Sequence, residues 1–168
     1  MKVLGIDPGS VTLGWGVLEG DLVRYRGLAY GTIKPGRGED FPKRLLKIHD
    51  GINEIVEKFS PEVIAIEEAF FAKNAKVAMK LGQVRGVILL LGEQLGLDIA
   101  EYSPRLIKQT VVGYGNAEKG QVQEMVRILL KLKETPKPHD AADALATAIC
   151  HFHHDGATAR QISAGQRR

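Results

Sequence analysis

An α/β domain built on one mixed β-sheet is the fold class this sequence predicts, and three observations predict it. Three β-type segments follow one another before residue 34, with no helical spacing among them. From residue 41 onward, helical and strand patterns alternate. The 168 residues, 44% of them hydrophobic, have the length and apolar content of one domain with a single sizeable core.

Each element has its own signal. Lys2 to Asp7 reads as a short, mostly buried strand, and Asp7-Pro8-Gly9-Ser10 is strong turn chemistry leading into a second strand through Trp15-Gly16-Val17-Leu18. Residues 22–33, β-branched and aromatic around Tyr25 and Tyr30, extend this into a meander after a turn at Gly20-Asp21. From Phe41 to Phe59, Leu45, Ile48, Ile52, Ile55, Val56 and Phe59 keep helical spacing until Ser60-Pro61 ends it. Val63 to Ile66 is a continuous apolar run, as a strand covered on both faces requires, and Glu67 closes it. A long helix is predicted over Ala75 to Leu95, then a strand over Asp98 to Tyr102. Ser103-Pro104 supplies an N-cap and a first-turn proline for a helix toward Val112. Gly113-Tyr114-Gly115 breaks that helix, and another is expected from Asn116 with Val122, Met125, Val126 and Leu129 on its apolar face. The final helix, from Asp140 to about His153, is rich in alanine and therefore able to lie close against a sheet. Residues 156–168 carry Arg160, Arg167 and Arg168, no acid and no periodicity, and are expected to be a basic, disordered tail.

Charge and cysteine usage narrow the setting. A formal charge of +3 with pI near 9.0 suits a polyanionic partner without requiring one. Cys150 is the single cysteine and cannot form an intrachain disulfide, and no signal peptide pattern opens the chain. The longest apolar run, residues 87–91, falls far below the roughly 20 residues that cross a bilayer. A cytoplasmic protein without a membrane span is expected.

Four acids mark the ends of elements. If their strands are parallel neighbours, Asp7 and Glu67 fall at the carboxyl ends of central strands, where α/β sheets place their sites. Asp140 and Asp143, three apart, share one face of the last helix at its first turn. Taken singly, each has a plain structural role: Asp-Pro-Gly is a good turn, Glu67 can mark where a strand meets water, Asp140 can cap a helix, and Asp143 suits the helix dipole. Docked together, the four would repel unless protonated or bound to a cation. Oxygen ligands with no cysteine or histidine cluster favour Mg²⁺ or Mn²⁺ over zinc.

A series of motifs then runs in order along the chain. It comprises Gly5-Ile6-Asp7-Pro8-Gly9; Ile66-Glu67 with Phe70 and Ala72-Lys73-Asn74; Leu81-Gly82-Gln83 with Arg85-Gly86; residues 108–113 as Lys-Gln-Thr-Val-Val-Gly; Ala117-Glu118-Lys119; and residues 140–145 as Asp-Ala-Ala-Asp-Ala-Leu. This series closely resembles the RuvC family of Holliday-junction resolvases, from Met1 to about His153. The resemblance implies an RNase H-like fold with a mixed five-stranded sheet flanked by helices over residues 1–155. It implies a metal site at Asp7, Glu67, Asp140 and Asp143, and a homodimer nicking two strands of a four-way junction symmetrically. The family's cut leaves 5′-phosphate and 3′-hydroxyl ends, and a branch-migration complex of RuvA and RuvB is the partner it implies. Two Mg²⁺ ions per subunit, with Mn²⁺ as a substitute, would lie about 3.5–4 Å apart, activating water on one side of the phosphodiester and stabilising the leaving oxygen on the other.

Candidate DNA contacts follow. Lys73, Lys76 and Lys80 open the long helix, while Lys108 and Lys119 flank the Gly113–Gly115 loop, and the latter two resemble family positions at the scissile region. Solvation of helix faces is the plain alternative for Lys76 and Lys80. Phe70 resembles the family aromatic that stacks on an unpaired base, a contact worth about 1–3 kcal/mol. On the long helix, Val77, Leu81, Val84 and Ile88 form one apolar stripe, and Met79, Leu90 and Leu91 spread beyond it. Such a helix must be covered twice, by the sheet and by a twofold partner. His151, His153 and His154 end a helix, where the dipole suits them, and are read as structural rather than metal-binding; Cys150 is read as packing.

Rival functions find less support. An actin-like or sugar-kinase ATPase also opens with a strand and an Asp-x-Gly turn, yet needs two lobes and a longer chain, and no Walker-type Gly-Lys-Ser or Gly-Lys-Thr loop is present. A non-catalytic DNA-binding module would not need four acids beside phosphates. An RNase H-like nuclease acting on RNA is the nearest rival.

Overall fold

The buried strand expected at the start of the chain is β1, Lys2–Asp7, where Val3, Leu4 and Ile6 are fully buried. Its neighbours complete a five-stranded sheet in a computed structural model that describes residues 1–21, 23–68 and 74–154. β2, Leu13–Gly20, runs antiparallel to β1, and β3, Tyr25–Ile33, antiparallel to β2. β4, Val63–Glu67, pairs parallel to β1, and β5, Asp98–Tyr102, parallel to β4, giving the order β3-β2-β1-β4-β5. Parallel pairing of β1 with β4 puts Asp7 and Glu67 at one edge.

Period-2 alternation sorts the strand side chains between two cores. On one face Leu4, Ile6, Val17, Ile64 and Ile66 meet α1, Phe41–Phe59, and α2, Ala75–Leu95, through Ile48, Ile52, Val84 and Ile88. On the other, Val3, Leu18, Val63 and Ala65 meet α3, Pro104–Val112, α4, Lys119–Leu129, and α5, His139–His154. The result is a three-layer α/β/α sandwich.

The alanines of α5 have a counterpart in the strands. A Cβ on Gly5 would come 2.0 Å from the Ala144 carbonyl oxygen, and one on Gly14 would come 1.9 Å from that of Asp140. Both contacts are impossible, so only glycine lets α5 lie this near β1 and β2. That approach sets the acidic first turn of α5 beside Asp7.

Several boundaries differ from those read in the sequence. β3 begins at Tyr25 because Asp21 Oδ1 accepts from the backbone nitrogens of Val23 and Arg24, both at 2.8 Å, prolonging the turn. α4 begins at Lys119, not Asn116, because Glu118 and Gln121 form a reciprocal capping box there. Only the second half of α2 packs on the sheet: Val84, Ile88, Leu91 and Gly92 are buried, while residues 75–79 are exposed, Val77 among them. Phe70 and Lys73 lie outside the described residues, as does the basic tail of residues 156–168.

Candidate active site

Asp7 and Glu67 end adjacent parallel strands, and Asp143 projects from α5 just after its first turn, which the glycines bring against the sheet. These three carboxylates line a cleft of about 170 Å³ together with Lys108 of α3, Lys119 at the start of α4, and an apolar wall of Pro104, Ile107 and Val122. Asp140 is not part of the lining, but its charge reaches both Asp7 and Asp143.

Proton affinities report how tightly the acids are held. Burial, with the charges of Glu67, Asp143 and Asp140 added, pushes Asp7 up from 3.8 to about 8. Burial and Asp143 push Glu67 up from 4.5 to about 7, against the pull of Lys119 and Lys108. Asp143 is raised too, chiefly by burial, while Lys119 opposes the shift with Nζ 3.7 Å from Oδ2.

Near neutral pH Asp7, and in part Glu67, retain protons that a cation could replace. Their oxygens are hard donors with no thiolate among them, which fits a hard divalent ion. Among the described residues, no three of the His, Cys, Asp and Glu side chains close into a metal-holding group by themselves. Substrate phosphate would have to supply further ligands.

Lys108 and Lys119 therefore stand where the sequence placed them. Lys76 does not reach the cleft, since α2 covers the opposite face of the sheet from α3–α5. Lys80 on that same face lies over the Phe41 ring, its Nζ 5.3 Å from the centroid. The terminal histidines have hydroxyl partners: His151 meets Tyr102 at 2.8 Å, His154 meets Thr110 at 2.8 Å, and His153 meets Tyr25 at 3.0 Å. They clasp the end of α5 to β5, α3 and β3. Cys150 is fully buried, and burial lifts its thiol to about 11.

One ion pair near the site carried no role in the sequence reading. Arg85 Nη2 on α2 donates to both oxygens of Glu101 on β5, at 2.6 and 2.8 Å. Glu68, whose proton affinity is raised by burial and by Glu101, sits beside this pair. Arg85 tethers α2 to the strand flanking Glu67. The motif Arg85-Gly86 was visible, but the partner of Arg85 is 16 residues away and was not.

Acids at the ends of parallel β1 and β4 and on the last helix, over a β3-β2-β1-β4-β5 sheet, define an RNase H-like nuclease. The chain belongs to the RuvC family of crossover junction endodeoxyribonucleases, whose profile, "Crossover junction endodeoxyribonuclease RuvC", matches residues 3–151. It is 49% identical over 153 residues to the RuvC of Caldanaerobacter subterraneus subsp. tengcongensis, covering 91% of this chain and 93% of that one. It is 50% identical to the RuvC of Moorella thermoacetica, covering 90% of each. Among solved structures it resembles Thermus thermophilus RuvC in complex with a Holliday-junction substrate, at TM-score 0.86 and 37% identity, covering 92% of this chain and 94% of that one. The yeast mitochondrial resolvase Ydc2, at TM-score 0.65 and 15% identity, shares the fold. No helix among the described residues is long and apolar enough to cross a membrane.

Proposed function

We propose that this protein resolves Holliday junctions in recombination and repair, hydrolysing one phosphodiester in each of two opposed strands to leave 5′-phosphate and 3′-hydroxyl nicks. The observation that carries this reading is the acidic cleft, where Asp7 and Glu67 share a sheet edge with Asp143 while Lys108 and Lys119 face them. Asp7, Glu67, Asp140 and Asp143 would hold Mg²⁺, two ions per subunit with Mn²⁺ as a substitute. When bound, such ions activate water and stabilise the leaving oxygen.

The chain's own residues do the rest. Lys108 and Lys119 attract the scissile phosphate and offset its charge beside the acids. Pro104, Ile107 and Val122 exclude bulk water from one side of the cleft, strengthening those interactions. Phe70, by family resemblance, would stack on an unpaired base at the crossover.

Two equivalent cuts call for two equivalent sites, and a twofold dimer supplies them. The interface we propose is the outer face of α2, where Met79 is 68% and Leu90 59% exposed, while Leu91 is 2% exposed against the sheet. A Cβ added at Gly82 or Gly86 would meet nothing in this subunit, which leaves room for a partner helix to approach closely. A branch-migration complex of RuvA and RuvB is the further partner the family membership supports, and the cytoplasm is the expected compartment.

The test compares cutting of a four-way junction, a linear duplex of the same sequence and an RNA–DNA hybrid in Mg²⁺. Paired nicks in the junction alone are expected. Preferential cutting of the hybrid would move the reading to an RNA-directed nuclease.

A further inference from the structure

β4 runs out in two consecutive acids, Glu67 and Glu68, that period-2 geometry sends to opposite faces of the sheet. Glu67 lines the cleft with Ile107 and Val122, on the α3–α5 side. Glu68 therefore turns toward α2, where the charges of Glu101 and Arg85 both reach it. Glu101 of β5 faces the same way, since Ile99, two residues earlier, packs in the α1–α2 core while Ala100 and Tyr102 pack in the other. In register Glu101 pairs with Ile66 and Tyr102 with Glu67, so Glu68 and Glu101 are diagonal neighbours on adjacent strands.

Backbone pairing continues one residue past Glu67. The Glu68 amide donates to the Tyr102 carbonyl oxygen at 2.9 Å, closing the ladder just beyond the carboxylate that faces the cleft. Like charges on Glu68 and Glu101 push against that closure. Arg85 of α2 opposes them, its Nη2 donating to both Glu101 oxygens at 2.6 and 2.8 Å. Glu101 is 19% exposed but Arg85 is 42% exposed, so the pair adds little to overall stability and its effect is local to the strand ends.

We propose that Arg85 is a positioning residue for Glu67: by neutralising Glu101 and Glu68 on one face of the sheet, it keeps the strand end closed and so fixes the Glu67 carboxylate on the other. Arg85 itself touches neither phosphate nor metal, and its role rests on the assignment of Glu67 to the proposed nuclease site. Without the guanidinium two adjoining acids are unopposed, and the relief nearest to hand is opening of the bond between Glu68 and Tyr102. Glu67, one residue away, then loses its fixed place in the cleft beside Asp7.

The test compares the wild type with Arg85→Gln, Arg85→Lys and the double variant Arg85→Gln/Glu101→Gln. Hydrogen exchange in chelator reads the geometry without any cutting. In Arg85→Gln the Glu68 amide should lose protection by about fivefold or more, while the amides of β1 and β2 and the melting temperature stay near wild type. When Mg²⁺ is titrated, the same variant should need about tenfold more metal for half-maximal cutting, the scale on which groups that orient metal ligands act. Its junction affinity without divalent ions should not change. Arg85→Lys, which keeps the charge, and the double variant, which removes the repulsion, should both return toward wild type. Unchanged exchange at Glu68, or an unchanged Mg²⁺ requirement, in a folded Arg85→Gln overturns the proposal. A fall in metal-free affinity that Glu101→Gln does not repair would make Arg85 a DNA contact, and conversion of a dimer to monomers in sedimentation would make it an interface residue; either result overturns the positioning role. If Arg85→Gln does not fold, the double variant decides: folding and cutting restored by Glu101→Gln uphold repulsion as the fault, and failure to restore them overturns it. A wild type that cuts no four-way junction refutes the functional reading itself, whereas a cutting wild type with an indifferent Arg85→Gln refutes only this role of Arg85.

Discussion

Removing one negative charge from the cleft should stabilise the metal-free protein while ending its activity. In Asp7→Asn the side chain keeps its shape and loses its titration. Folding holds the Asp7 proton up to about pH 8, whereas the unfolded chain releases it near 3.8. The raised value therefore contributes stability that is complete below about pH 4 and is lost progressively as pH climbs toward 8. A displacement of that size corresponds to about 6 kcal/mol at most. Glu67 and Asp143 can take up protons in place of Asp7, so about 2 kcal/mol of gain is expected for the asparagine variant at pH 8, or about 4–8 °C in melting temperature. Near pH 4 the gap should close. Thermal melts in a chelator from pH 4 to 9 measure this directly, and adding Mg²⁺ should raise the wild type more than the variant, since ligand binding stabilises only the state that binds. Cutting should be abolished at equal or higher junction affinity. An asparagine variant less stable than wild type at pH 8, or a gap that ignores pH, would refute the account of the carboxylates.

Three further outcomes are expected. Leu90→Glu should give a folded monomer by sedimentation and circular dichroism, with weak junction binding and no paired nicks, because a charge would enter a dry helix contact; a monomer that still makes both nicks in one junction's lifetime would exclude the α2 interface. Gly14→Ala should cost about 1–3 kcal/mol or more through overpacking against the Asp140 carbonyl, and should reduce cutting by shifting the acidic turn; full activity would mean that the approach of α5 is not needed. Lys119→Gln should move the acid limb of the pH–rate profile to higher pH, because Lys119 lowers the proton affinity of Asp7, Glu67 and Asp143; a profile that stays in place would separate Lys119 from the acids.

Much of the fold was legible because each element has one dominant period. α1, with Ile48, Ile52 and Ile55 buried at helical spacing, and β4, apolar throughout, were readable with their limits. Asn116 misled as a helix start because asparagine caps well in general, whereas the reciprocal pair Glu118 and Gln121 decides the matter here. The four acids were legible as ends of elements and as a family pattern, and the sheet order then showed that three of them line one cleft. Gly5 was legible only as a strand residue and Gly14 carried no signal, since their purpose depends on a helix more than a hundred residues later. Leu90 and Leu91 could not be ranked from spacing, because α2 is apolar on more than one side and only packing separates them.

The position of α5 in the chain has a consequence for synthesis. It is the last described element, yet it packs on β1 and β2 and is clasped through its histidines to β3, α3 and β5. A ribosome must therefore deliver almost the whole domain before one layer of the sandwich can close. Asp140 and Asp143 emerge with that final segment, so a nascent chain carries an unshielded sheet face but not a complete acidic cleft. Folding and closure of the acidic cleft finish in the same step, so under the proposed site assignment a half-made chain is expected not to nick DNA.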